Sequence, residues 1–101
     1  MSSIVSFAGY VCALDFTARY LDRHIVIRLL DQEGFPVAIA TVNLGGLAMD
    51  EVAIKDYSEN AGMLALLLKA DVIYPPHRFL QSGYVSFPIC YLKPVAVQKA
   101  I

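Results

Sequence analysis

Net charge is almost absent from this chain. Its 8 basic residues stand against 9 acidic ones and leave −1, a balance that excludes a general binder of phosphate backbones, which needs a basic face. Cysteine is scarce too. Cys12 and Cys90 are the two present, far apart and without a C-x-x-C pair, so neither a zinc site nor a dense disulfide framework is expected and both read as reduced core thiols. No apolar run reaches the roughly 18 to 20 residues of a membrane helix; the longest uncharged runs, such as Phe35 to Met49, are broken by proline and glycine. Met1 to Ile4 show no basic region ahead of a long apolar stretch, so no signal peptide is expected and the chain is placed in the cytoplasm. Repeats, linkers and low-complexity segments are missing, and 101 residues make a single domain, 1–101, with no second module.

Apolar residues are what the chain has in excess. They make up 57% of it, above the roughly 45–50% usual for soluble proteins, which excludes disorder. A domain this short hides only about two thirds of its chain surface on folding, so part of this apolar surface is expected to meet a partner or a second copy.

The periodicity predicts mostly strands. Ser3 to Tyr10 and Val11 to Tyr20, with a break at Gly9, suit one or two strands. His24 to Leu30 alternates Ile25, Ile27 and Leu29 against His24, Val26, Arg28 and Leu30, and Asp31-Gln32-Glu33-Gly34 then supplies a turn into Val37 to Leu44. That next segment is apolar on both faces, as a central strand covered on each side would be. Glu51 to Tyr57 alternates again, with Val52 and Ile54 inward and Glu51 and Lys55 outward. Ser58-Glu59-Asn60 precedes the one clear helical stretch, in which Met63, Leu64, Leu66, Leu67 and Leu68 form a band wide enough for a buried helix. Tyr74-Pro75-Pro76-His77 ends it, and Tyr84 to Leu92 returns to alternation, with Pro88 marking an edge strand or a bulge. The expected fold is α+β: an antiparallel sheet of about five strands with one helix, about 59–72, packed on one face.

The densest polar cluster is Asp50, Glu51, Asp56 and Glu59, offset by Lys55 alone, while residues 72–101 hold Arg78, Lys93 and Lys99 and no carboxylate. Two readings fit the acidic segment. It offers a decoy field for a basic surface on another protein, or Asp56 or Ser58 caps the helix while the other carboxylates are solvated. No catalytic set is expected. Cys12 with His24 or His77 matches no nucleophile signature, Ser58 lacks a G-x-S-x-G elbow, and histidines at 24 and 77 have no metal-ligand spacing. Asn43-Leu44-Gly45-Gly46 is a turn without the lysine and helix of a phosphate cradle. Six Tyr and five Phe fall at strand spacing, where core and interface roles outweigh base stacking. No cofactor, direct nucleic-acid contact or membrane contact is expected.

Gly9-Tyr10-Val11-Cys12, Ala38 to Leu44, the block Asp50-Glu51-Val52-Ala53-Ile54-Lys55-Asp56-Tyr57-Ser58-Glu59-Asn60 with Gly62-Met63-Leu64, and Ser82 to Val85 before Pro88-Ile89-Cys90 form an ordered series. The series resembles a small domain-of-unknown-function family of phages, plasmids and bacterial mobile elements with an IKDYSEN-x-GM block, across roughly residues 9 to 92. The resemblance implies a habitat and carries no catalytic residues. Two departures stand out. Ala61 replaces a Glu that would close a capping box with Ser58, and Gly45-Gly46 replaces a more acidic, Pro-containing connection, which implies a looser loop before Asp50 that a partner could order. The expectation that follows is a non-catalytic protein-binding domain of a mobile element. It would be a counter-defence inhibitor such as one acting on a CRISPR effector, blocking a host protein by steric or acidic charge mimicry through Asp50, Glu51, Asp56, Tyr57, Glu59 and Asn60. A self-associating accessory protein forming a homodimer, and a small-ligand-binding domain with a pocket near Tyr57 and Asn60, are the alternatives.

Overall fold

The structure, a computed structural model, describes residues 4–99; Ser3, where the first strand was expected to begin, lies outside the described residues. The fold is α+β, but its strands form two antiparallel sheets of four rather than one sheet of about five. The first sheet is built from β1 (Ile4–Phe7), β2 (Tyr10–Arg19), β3 (Ile25–Leu30) and β4 (Pro36–Ile39) in that order. The second runs β5 (Thr41–Val42), β6 (Glu51–Ile54), β8 (Val85–Tyr91) and β7 (Arg78–Ser82).

The break at Gly9 is a hairpin turn. Ala8 and Gly9 take φ of 53° and 83°, the pair of positive angles that a two-residue turn needs to match strand twist. Ile25, Ile27 and Leu29 are buried as their alternation predicts. The turn after them is fixed by Asp31, whose Oδ1 accepts the main-chain N–H groups of Glu33 and Phe35, each at 2.9 Å.

The segment from 37 to 44 is where one sheet becomes two. Ala40, fully buried, donates its N–H to Ile27 O at 2.8 Å in the first sheet and accepts the Lys55 N–H at 2.8 Å in the second. Its flanks are apolar on both faces because the chain turns a corner between sheets there, not because it is a central strand.

The expected helix over 59–72 is also divided. A 3-10 turn, Ser58–Asn60, is followed by α1, Met63–Lys69, and Gly62 between them sits at φ 95°, a left-handed angle that stops helix propagation. A second helix, α2 (Pro94–Lys99), closes the described chain. Pro88 lies within an inner strand, yet the β6 ladder runs only through Tyr91, Cys90 and Ile89. At Pro88 the strand has β7 alone beside it, so the missing N–H costs no ladder bond on the β6 side. The strand β7 was not anticipated.

The sheets and α1 enclose one core containing Phe16, Ile27, Leu29, Ile54, Met63 and Leu67. Because β6 alternates, Ala53 points the other way and joins Phe87 and Ile89 in a smaller cluster on the outer face of the second sheet. Leu44 and Leu47 of the 43–50 loop pack over that cluster, which is why all four residues of β6 are buried. Both cysteines are buried and unpaired, and burial pushes the Cys90 thiol up to about 11, removing it from thiolate chemistry near neutral pH. No helix among the described residues is long and apolar enough to cross a membrane.

Candidate functional site

The six residues singled out between 50 and 60 do not form one surface. Glu51, expected to face outward, is 4% exposed. Its pairing with Tyr91 across β6 and β8 puts it on the outer face of the second sheet, where partners converge on the carboxylate. Arg78 grips it with two nitrogens, Nη2 to Oε1 at 2.8 Å and Nε to Oε2 at 3.0 Å. His77 Nε2 lies 2.6 Å from Oε2, and the Ala48 N–H donates to Oε1 at 2.8 Å. The His77 ring is stacked on Tyr91, centroids 3.9 Å apart. The Arg78 guanidinium outweighs burial, and with the Ala48 amide and His77 it holds the Glu51 carboxyl down at about 2.

This cluster also anchors the 43–50 loop. Arg78 Nη2 donates to Gly46 O at 3.0 Å, and His24 Nε2 reaches Leu47 O at 3.0 Å from the opposite side. The loop that Gly45-Gly46 marked as loose is therefore fastened at three points to both sheets.

The remaining candidates have separate tasks. Asp56 Oδ1 accepts the Leu64 N–H at 2.9 Å, supplying from six residues before the N-cap position the cap that Gly62 cannot give. Asp56→Ala should lower stability by about 1 kcal/mol, read as a shift of the urea midpoint at unchanged slope. A loss below a few tenths of that would show that water replaces the cap without penalty.

Glu59 pairs with Lys55, and the Lys55 ammonium holds its carboxyl below the usual range. Asn60 is 2% exposed and donates Nδ2–H to Ile39 O at 2.7 Å, tying the 3-10 turn to the free edge of β4. Tyr57 stays exposed, its ring edge-on to Phe87 at 5.8 Å. Asp50 is exposed, and its carboxylate has no side-chain partner among the described residues.

Two hollows flank these residues. One, of about 570 Å³, lies between the β4 edge and the 3-10 turn, with Tyr20, Thr41, Lys55, Glu59 and Asn60 in its wall. The Tyr20 and Thr41 hydroxyls bond at 3.0 Å within it. The other, of about 210 Å³, is framed by Tyr57, Phe79, Val85 and Pro88. Tyr57 and Asn60, expected beside a single pocket, thus line different hollows.

Sequence reasoning noted Arg78 and His77 but did not place them at Glu51. The signal was present as the opposite charge of the 50–59 and 72–101 segments, which here meet through Glu51 and Arg78 inside the molecule. Among the described residues no group of three or more His, Cys, Asp or Glu is placed to hold a metal ion. No protein-family model, curated protein or solved structure matches the chain.

Proposed function

We propose that this chain is a non-catalytic protein-binding domain that docks by steric fit along the edge of its second sheet, through Tyr57, Phe79 and Tyr84, rather than by acidic mimicry. The observation that carries the reading is the chemistry of the β7–β8 hairpin. From Phe79 to Leu92 it holds no charged residue, yet Phe79 is 63% exposed and Tyr84, at its tip, is fully exposed. Strand β7 has β8 on one side and an open edge on the other, and Arg78, the cation nearest that edge, is turned toward Glu51. An uncharged, aromatic, open edge fits addition of a protein strand or insertion of partner side chains. The acidic alternative is weakened, because Glu51 is held inside the molecule by Arg78, Asp56 caps α1 and the exposed Glu59 is partly neutralised by Lys55, which leaves Asp50.

The resemblance to a mobile-element family supports a host protein as the partner and counter-defence, in the host cytoplasm, as the purpose. Pull-down from host lysate with the tagged chain tests the reading, with light scattering alongside. One stoichiometric protein should be retained by the wild type and by the reversals Asp50→Lys and Glu59→Lys, and its affinity should fall at least about tenfold for Phe79→Asp. Loss of binding in the reversals with retention in Phe79→Asp would restore charge mimicry. A concentration-dependent dimer broken by Phe79→Asp would replace the host partner with a second copy.

A further inference from the structure

His24 meets an acceptor at each ring nitrogen. It stands just before β3; its Nε2 is 3.0 Å from the Leu47 carbonyl oxygen, and its Nδ1 is 3.0 Å from Asp22 Oδ1. The second approach is off the line of a good hydrogen bond, so it is an ion contact more than a directed bond. A carbonyl and a carboxylate only accept, and a neutral imidazole has one N–H, so the neutral ring must aim a lone pair at one of these oxygens; the imidazolium satisfies both. The ring is 13% exposed, which leaves little room for water to relieve the mismatch. Asp22 is fixed in place because its Oδ1 also accepts the His24 main-chain N–H at 3.2 Å.

We propose that protonated His24 is a pH-sensitive latch that ties the 43–50 loop to the first sheet, keeping Leu44 and Leu47 over the outer apolar cluster, and that deprotonation, which leaves one ring N–H to divide between Leu47 O and Asp22, loosens this side of the loop. The groups facing the ring are Asp22 on its own turn and the Leu47 and Ala48 main chain on the loop. The loop's other anchor, Glu51 with Arg78, grips it from β6 and β7.

Burial alone pushes the imidazole down; Asp22 and the loop main chain more than offset it, leaving the group raised above 6.5. A raised histidine contributes in full below 6.5 and loses its contribution as pH rises through the folded value. Asp22, lowered from 3.8 mainly by the His24 main-chain N–H, contributes above 3.8 and loses its contribution as pH falls. The latch is whole between those two values and loosens on the alkaline side, as pH rises above 6.5.

Nitrogen NMR of the intact chain tests this directly. Near pH 6 both His24 ring nitrogens should carry protons and the titration midpoint should lie above 6.5. Amides of the 43–50 loop, corrected for intrinsic exchange, should lose protection as His24 titrates. His24→Gln should remove that pH dependence. Asp22→Asn, an exposed change that leaves the fold intact, should lower the midpoint, and it carries the test if His24→Gln fails to fold. A midpoint at or below 6.5, or loop protection unchanged across the titration, would overturn the latch.

Discussion

Arg78→Met should cost about 3–5 kcal/mol, more than Glu51→Gln costs. The asymmetry follows from burial. The Glu51 side chain is 5% exposed and the Arg78 side chain 39%, so removing the arginine leaves a carboxylate that water cannot reach with His77 and the Ala48 N–H alone beside it. Removing the carboxylate frees a guanidinium that rehydrates. Glutamine also retains an oxygen for the Ala48 N–H, which limits the loss in Glu51→Gln to about 1–3 kcal/mol.

Domains of this size are stable by about 5–15 kcal/mol, so Arg78→Met is expected to leave the protein marginal. Urea unfolding near neutral pH measures both, and a cost for Glu51→Gln equal to or above that for Arg78→Met would sink the account. Replacing the pair together, Glu51→Leu with Arg78→Met, should recover part of the loss, because no carboxylate is left buried although the Ala48 N–H loses its acceptor.

Acid stability provides a second readout of the same cluster. A carboxyl lowered from 4.5 to about 2 contributes stability above 4.5 and loses it as pH falls between the two values. That part of the acid profile should be absent in Glu51→Gln. If the variant and the wild type lose stability in parallel over this window, Glu51 is not the titrating group.

The second large effect separates the two apolar clusters. Ile27 and Ile89 are both fully buried on inner strands, so chemistry and strand position are matched. Ile27 lies in the core shared by both sheets and α1, where packed neighbours on opposed layers cannot close a void, and Ile27→Ala should cost about 4–5 kcal/mol. Ile89 lies under the 43–50 loop, whose Leu44 and Leu47 can settle inward, and Ile89→Ala should cost about 2–3 kcal/mol. Equilibrium unfolding of the two variants at matched slopes decides it; the reverse order would mean that the loop is as rigid as the sheet packing.

Much of this architecture was legible because hydrophobic alternation and turn chemistry are local. Ile25, Ile27 and Leu29 declared their buried face, Asp31 to Gly34 declared the turn after it, and Gly9 marked a break without showing that it is a hairpin turn. The candidate site was legible only in part. The acidic residues were seen as a cluster because they are neighbours in sequence, but Glu51 and Asp56 find their partners 27 and 8 residues away, and charge counting along the chain does not measure that distance. Strand β7 escaped notice because Arg78–Ser82 is short and mixed in polarity, and it becomes a strand through its ladder with β8.

Composition and periods of two or about four residues were enough to read an α+β chain rich in strands, with two core thiols and a helix beginning near residue 60; the short helix at 94–99 left no such mark. Tertiary structure alone decided that Ala40 splits the strands into two sheets, that Gly62 divides the helix, and that Glu51 is an internal ion rather than a surface one. Those outcomes depend on which distant backbone and side-chain groups arrive at the same place: Ile27 and Lys55 at Ala40, and Arg78 and His77 at Glu51. A hydrogen bond or ion pair between residues far apart in the chain leaves no periodic trace in it.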